Sequence, residues 1–107
     1  MEQELDAARD YYYVMRELIA HHAAGTANER SLIAVRKLCR AAAAIDDREC
    51  GAALAAIEEH ASQYFSGAAE AHWAHRQLLR ELEWFRGRLY ALEALVRPAP
   101  EARPPSP

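Results

Sequence analysis

The chain has 107 residues, with 13 Lys and Arg against 16 Asp and Glu, which gives a formal net charge of −3. This length allows one domain with its own core but not two. The acidic balance argues against a general nucleic-acid binder, which would usually be basic, and no apolar run approaches the roughly 20 residues of a membrane span. The polar N-terminus is unlike a signal peptide, and two cysteines suit a reducing compartment better than a disulfide scaffold. We therefore expect a cytoplasmic protein without a membrane segment.

The first two helices are indicated by apolar residues at steps of three and four. The first is predicted over residues 2 to 24, and Gly25 should end it because glycine readily adopts the left-handed conformation after a last helical turn. Thr26 with Glu29 three positions later is the pattern of a capping box. A second helix is therefore predicted from about Ala27 to Ala44.

A third and a fourth helix follow. Asp46, with Glu49 three positions later, predicts the cap of a helix that continues to about Phe65. The stretch 67–97 has apolar residues at alternating steps of four and three, which predicts a long amphipathic helix. Five prolines stand in the segment 98–107, which is therefore predicted to be a flexible, extended tail. In the long helix, four further residues widen the apolar stripe: Leu79, Trp84, Tyr90 and Leu95.

Short turns between four helices favour sequential antiparallel packing. We predict an all-α fold, an antiparallel up-down-up-down four-helix bundle. Residues 1–97 form its single domain, and residues 98–107 form the flexible Pro-rich tail. At 1.5 Å per residue the first three helices would span roughly 27–33 Å and the extended fourth helix roughly 45 Å. About one third of the fourth helix should then overhang its partners.

The overhanging part carries an apolar stripe that soluble monomers would not leave in water. A two-fold partner contributing the same stripe would bury it, which predicts a homodimer. If helix one instead extends alongside, it covers Leu89 and Leu92 and the chain remains a monomer. Tyr13 should face outward on the first helix as a further contact residue. The predicted partner-binding residues are Tyr13, Leu89, Tyr90, Leu92, Leu95 and Val96.

Five histidines are brought towards one end of such a bundle, because the turns at Gly25 and at 66–67 lie at the same end. All five would fall within roughly 12 Å of that end. Imidazoles on neighbouring helices can hold a divalent transition metal, and clustered histidines also gain charge near pH 6. The Glu-x-x-His pairs of di-iron bundles are missing, so ordinary helix-end histidines and no cofactor are the simplest interpretation. The metal alternative uses His21, His22, His60, His72 and His75.

Two short patterns resemble known families. Arg16 and His21, separated by four residues, resemble the Arg-x4-6-His element of helical ribonuclease toxins, which implies a helical nuclease. The stretch 21–25 resembles the His-x-x-Lys-Gly motif of histidine phosphotransfer domains, but Ala24 stands in place of the lysine. Each resemblance covers only a few residues of the chain.

The predicted function is a small non-enzymatic helical module for protein–protein interaction, such as a regulator, adaptor or chaperone. It is expected to be homodimeric through its long C-terminal helix. A metal- or cofactor-binding bundle that uses the histidine end is the first alternative, and a helical nuclease-like toxin is the second.

Overall fold

The computed structural model describes residues 1–68 and 71–97. These residues form an all-α four-helix bundle, which confirms the predicted fold class. The fourth helix has 26 residues and is the longest of the four. The predicted tail, residues 98–107, lies outside the described residues. The helices are α1 (Glu2–Ala20), α2 (Glu29–Ala42), α3 (Arg48–Tyr64) and α4 (Ala71–Val96).

Each helix packs against two neighbours: α1 lies between α2 and α4, and α3 lies between α2 and α4. On one side of the bundle, Arg9 of α1 forms an ion pair with Glu93 of α4. One turn further along α1, the Tyr12 hydroxyl donates a hydrogen bond of 2.8 Å to Glu83. Residue numbers rise along α1 as they fall along α4, which is the order expected of helices that run in opposite directions.

The core is built from the apolar stripes that the periodicity predicts. Its largest side chains include Tyr12, Tyr64, Phe65 and Phe85, all at most 2% exposed. Full burial of a large apolar side chain contributes about 1.5–3 kcal/mol, so these stripes dominate the stability of the bundle. On α4 the buried residues are Ala71, Ala74, Leu78, Leu82, Phe85, Leu89 and Leu92.

The prediction that a second copy is needed to bury Leu89 and Leu92 is wrong. Both side chains are buried within the single chain and belong to its core. The reason is that α1 packs along the C-terminal half of α4, as the 2.9 Å bond from Arg97 to Asp6 shows. The structure therefore follows the other outcome considered above, in which the first helix covers this part of the stripe.

The first helix ends at Ala20, not at residue 24. A tertiary hydrogen-bond donor lies at this end of α1. The buried Tyr64 hydroxyl is 3.3 Å from the oxygen of Ile19, in the last turn, and 3.2 Å from the oxygen of His22, just beyond it. Gly25 does adopt a left-handed conformation, with φ at +87°. It does so inside the connecting turn, since four residues separate it from the end of the helix.

The second helix is capped by Asn28 rather than by Thr26. The Asn28 side chain accepts a hydrogen bond of 3.0 Å from the Ser31 amide, whereas the Thr26 hydroxyl donates to the Ala23 carbonyl. Asn28 is held there by its own amide, which donates to the Phe65 carbonyl at 2.8 Å. This bond joins the α1–α2 turn to the α3–α4 turn, so the two turns lie at the same end of the bundle, as predicted.

The third helix is capped by Asp47, one residue after the predicted Asp46. The Asp47 carboxylate accepts a bond of 2.9 Å from the Cys50 amide. It also accepts two bonds, of 2.9 and 2.8 Å, from the Arg88 guanidinium on α4. The contact with α4 selects Asp47, because a charged and bidentate partner adds to the capping bond.

Candidate interaction surface on helix four

Three large apolar side chains lie on the solvent-facing side of α4. Trp73 is 44% exposed, Trp84 is 61% exposed and Leu95 is 77% exposed. They are spaced eleven residues apart, and eleven residues make three helical turns plus about 20°, so the three lie nearly in line with about 16 Å between neighbours. We call these three residues the outer line of α4.

The outer line lies away from the core because of where the buried residues fall. Leu82 and Phe85 face the bundle, and Trp84 is rotated about 100° from Phe85 and about 200° from Leu82. The expectation that four further residues widen the buried stripe is therefore wrong, because all four are exposed: Leu79, Trp84, Tyr90 and Leu95. Trp73 was missed by the sequence analysis, although its eleven-residue spacing from Trp84 is a signal that could have identified it.

A shallow groove of about 270 Å³ lies beside Trp84. Gly87, one turn further along α4, forms part of its floor, and a Cβ atom added there would have no other atom within 4 Å. The backbone of α4 is thus open to close approach beside an exposed indole ring. The groove is lined by Glu49, Glu83, Trp84, Gly87, Arg88 and Ala91.

Charged side chains from α3 and α4 border this groove. Arg88 is held by two bonds to Asp47, and its Nε atom lies 3.3 Å from a Glu49 oxygen. The Arg88 guanidinium, with a smaller contribution from the Cys50 amide, holds the pKa of the Asp47 carboxyl well below its usual range. Arg80 lies on the same side of α4 and forms no ion pair within residues 1–68 and 71–97. The groove is therefore lined by the carboxylates of Glu49 and Glu83 and by the paired Arg88. Arg80 does not line it and lies one turn before Trp84 on α4.

Tyr13 is exposed, as predicted, and Tyr90 is exposed as well, but both lie on a different side of the molecule. They border a narrow slot between α1 and α4, where the Arg86 guanidinium carbon lies 5.2 Å from the centre of the Tyr90 ring. Tyr90 is rotated about 120° around α4 from Trp84 and about 140° from Leu95. The predicted partner-binding residues thus divide between two surfaces, with Leu89 and Leu92 buried and Val96 half-buried.

The histidines at the turn end contact aromatic rings. His22 packs edge-to-face on Tyr64, with 4.8 Å between ring centres, and His75 stacks on the same tyrosine at 5.0 Å. His60 packs edge-to-face on Trp73 at 5.3 Å. His21 and His72 are exposed. His22 and His75 therefore both contact Tyr64.

Within residues 1–68 and 71–97, no group of three or more His, Cys, Asp or Glu side chains is arranged to hold a metal. The His22 Nε2 and His60 Nδ1 atoms are buried and have no hydrogen-bond partner in this part of the chain. A metal at the histidine end therefore stays a prediction, without a ligand set in the described residues.

The nuclease resemblance gains no geometric support. Five positions along a helix correspond to about 140° of rotation, so Arg16 and His21 point to different sides of α1. The His21 ring lies 2.9 Å from the Glu17 carbonyl and 3.4 Å from its carboxylate, which is a local interaction at a helix end.

Comparisons with protein-family models, with curated proteins and with solved structures found no match to this chain. In the part of the chain that the structure describes, none of the helices combines the length and the apolar character needed to cross a membrane. Function is therefore inferred from the surface of this chain alone.

Proposed function

We propose that the protein is a non-enzymatic interaction module that associates with a second copy of itself through the outer line of α4. Trp84 is the observation that carries the proposal, because its indole ring is 61% exposed and lies outside the core. Tryptophan is enriched among the residues that dominate binding energy at interfaces. Leaving Trp84, Trp73 and Leu95 together in water is unfavourable, and a second copy presents the same line to cover them.

The shape of this surface also favours a protein partner. Sites for small ligands are concave clefts that enclose most of the ligand, whereas the outer line follows the convex side of a helix. The recess beside Trp84 is a shallow groove, and Gly87 and Ala91, which help to line it, leave room for a side chain from another helix. A helix from a second copy fits these features better than an enclosed substrate does.

The expected affinity follows from the size of the contact. Each copy offers three large apolar side chains, and full burial of each is worth about 1.5–3 kcal/mol, less for Trp73 because His60 already covers part of it. Association costs at least about 4 kcal/mol of lost translational and rotational freedom. We therefore expect a dimer with a dissociation constant in the micromolar range, not one that is required for folding.

Two matched variants on α4 test this proposal by analytical ultracentrifugation. Trp84→Glu places a charge on the outer line, and Tyr90→Glu places the same charge on another exposed aromatic position, at the α1–α4 slot. The parent protein and Tyr90→Glu should dimerise in the micromolar range, while Trp84→Glu should stay monomeric. All three should have the same circular dichroism spectrum, because neither side chain is part of the core.

A Trp84→Glu protein that still dimerises as the parent does would overturn the proposal. Dissociation by Tyr90→Glu alone would move the interface to the slot between Tyr13 and Tyr90, two residues that were each predicted to contact a partner.

A further inference from the structure

The way in which two copies meet can be inferred from the spacing of the outer line, and this step rests on the proposed function. We infer that the two α4 helices pack antiparallel about a two-fold axis that passes beside Trp84. Trp73 lies eleven residues before Trp84, and Leu95 lies eleven residues after it. In an antiparallel pair centred on Trp84, Trp73 of one copy therefore faces Leu95 of the other, and the two Trp84 side chains meet at the axis.

This register places every member of the outer line opposite another member. A shift of one helical turn in either direction would separate Trp73 from Leu95 of the second copy and would set Trp84 opposite Arg80 or Arg88 instead. A parallel pair would also bring the three residues together, so spacing alone does not distinguish the two directions.

Charge favours the antiparallel direction. A parallel pair places Arg80 beside the Arg80 of the second copy, and two unpaired like charges side by side are destabilising. In the antiparallel register, Arg80 approaches the second copy's Arg88, which is already neutralised by Asp47 and Glu49. Since the Glu49 side chain is more than half exposed, it can accept a second guanidinium from Arg80 of the other copy.

The groove supplies room at the axis. Gly87 follows Trp84 by three residues on the same face, and the space above it is open. The indole of the second copy's Trp84 can therefore lie over the Gly87 backbone, where any larger residue would hold the two helices apart. Ala91, a further turn along, then faces Gln77 of the second copy.

Disulfide trapping tests this register in the full-length protein. Gln77 lies seven residues before Trp84 and Ala91 lies seven residues after it. Gln77→Cys and Ala91→Cys are therefore made as separate proteins, mixed above the dissociation constant and oxidised. The native Cys39 and Cys50 should not interfere, because burial raises the pKa of both thiols to about 12 and thiols in that state are unreactive.

The mixture should give a covalent dimer of one Gln77→Cys chain and one Ala91→Cys chain, at least about tenfold in excess over either symmetric product. A symmetric product joins positions that lie about 21 Å apart along the antiparallel pair, beyond the reach of a disulfide bond. Symmetric products from the single variants would show a parallel pair and overturn the inference. If ultracentrifugation shows a dimer but no cross-link forms, the register is wrong and the proposed function is unaffected. If ultracentrifugation shows a monomer, the register and the proposed function are both wrong.

A charge variant provides an independent readout. Arg80→Glu should raise the dissociation constant at least fivefold, because it places a carboxylate beside Glu49 of the second copy. Arg76→Glu, the same change on an exposed arginine one turn earlier and off the outer line, should leave it nearly unchanged. Equal effects from the two variants would contradict the pairing of Arg80 with Glu49.

Discussion

Asp47 joins three parts of the molecule through one carboxylate. It caps α3 through the Cys50 amide, and it binds Arg88 on α4 through two short hydrogen bonds. Arg88 in turn lines the groove beside Trp84. A cap is worth about 1 kcal/mol and hydrogen bonds to charged groups about 1.5–3 kcal/mol. Asp47 therefore fixes both the start of α3 and the side chain that borders the proposed interface.

Replacing Asp47 with alanine should lower the free energy of unfolding by about 2–3 kcal/mol, because the cap and the ion pair are lost together. Asp46→Ala is the matched control, since the exposed Asp46 neither caps α3 nor contacts Arg88, and its effect should stay within about 0.5 kcal/mol. Urea denaturation of the two variants measures the difference. Equal losses would mean that the cap is at Asp46 after all.

The contribution of Asp47 should also depend on pH in a defined direction. Its pKa in the folded protein is held below the ordinary value, mainly by Arg88, so folding favours the ionised form. The stability that it supplies is therefore complete above the unfolded pKa of about 3.9 and decreases as pH falls below that value towards the folded pKa. The difference in unfolding free energy between the parent and Asp47→Ala should be constant from about pH 5 to pH 7 and should shrink below about pH 4. A difference that grows on acidification would show that the sign is wrong.

At the scale of the elements, the two turns at one end of the bundle are held against each other. Gly67 has a left-handed backbone with φ at +77°, and a Cβ atom there would lie 3.2 Å from the Ala27 nitrogen in the other turn. A non-glycine residue in this conformation costs about 1–2 kcal/mol before any displacement of its neighbour. The end of the bundle thus depends on a residue without a side chain.

Gly67→Ala should lower the free energy of unfolding by at least about 1 kcal/mol. Gly51→Ala should have the opposite effect, because Gly51 lies inside α3 and a Cβ atom added there would meet open space. That change should raise stability by up to about 1 kcal/mol, since alanine favours helix over glycine. Thermal unfolding of both variants measures these changes. If Gly67→Ala leaves the stability unchanged, the two turns do not pack as described.

The number of helices and most of the core could be predicted from the sequence, because burial follows the helical period. The residues at which the helices begin and end could not be predicted as well, because the hydrogen-bond partners of the capping residues are distant in sequence. Asn28 is selected by the Phe65 carbonyl, and Asp47 by Arg88, neither of which a local capping pattern contains. Helix lengths alone suggested an overhang, but the lateral position of α1 along α4 depends on packing that residue counts do not specify.

The candidate surface was only partly predictable for a related reason. Leu95 was assigned to the apolar stripe and to the predicted interface, and it is exposed on the single chain. Trp84 was assigned to the same stripe because a wide apolar band on a long helix can be read as entirely buried. Which edge of that band faces solvent depends on the positions of α1 and α3, and these fix Phe85 in the core and leave Trp84 outside.

For the whole molecule, the core and the outer line are separate features. Because α1 covers Leu89 and Leu92, each chain has a complete core without a partner. The dimer should therefore dissociate on dilution into folded monomers, and the circular dichroism spectrum should not change as the mass falls. Loss of helix on dilution would instead indicate that folding and association are coupled.

Light scattering of the parent protein across a dilution series tests the central claim most directly. Well above the expected micromolar dissociation constant, the mass should be twice the 12.0 kDa of the chain, and it should fall to that of one chain on dilution. The same series with Trp84→Glu should give a single-chain mass throughout. A parent protein that remains at 12.0 kDa over the whole range would contradict self-association through the outer line of α4.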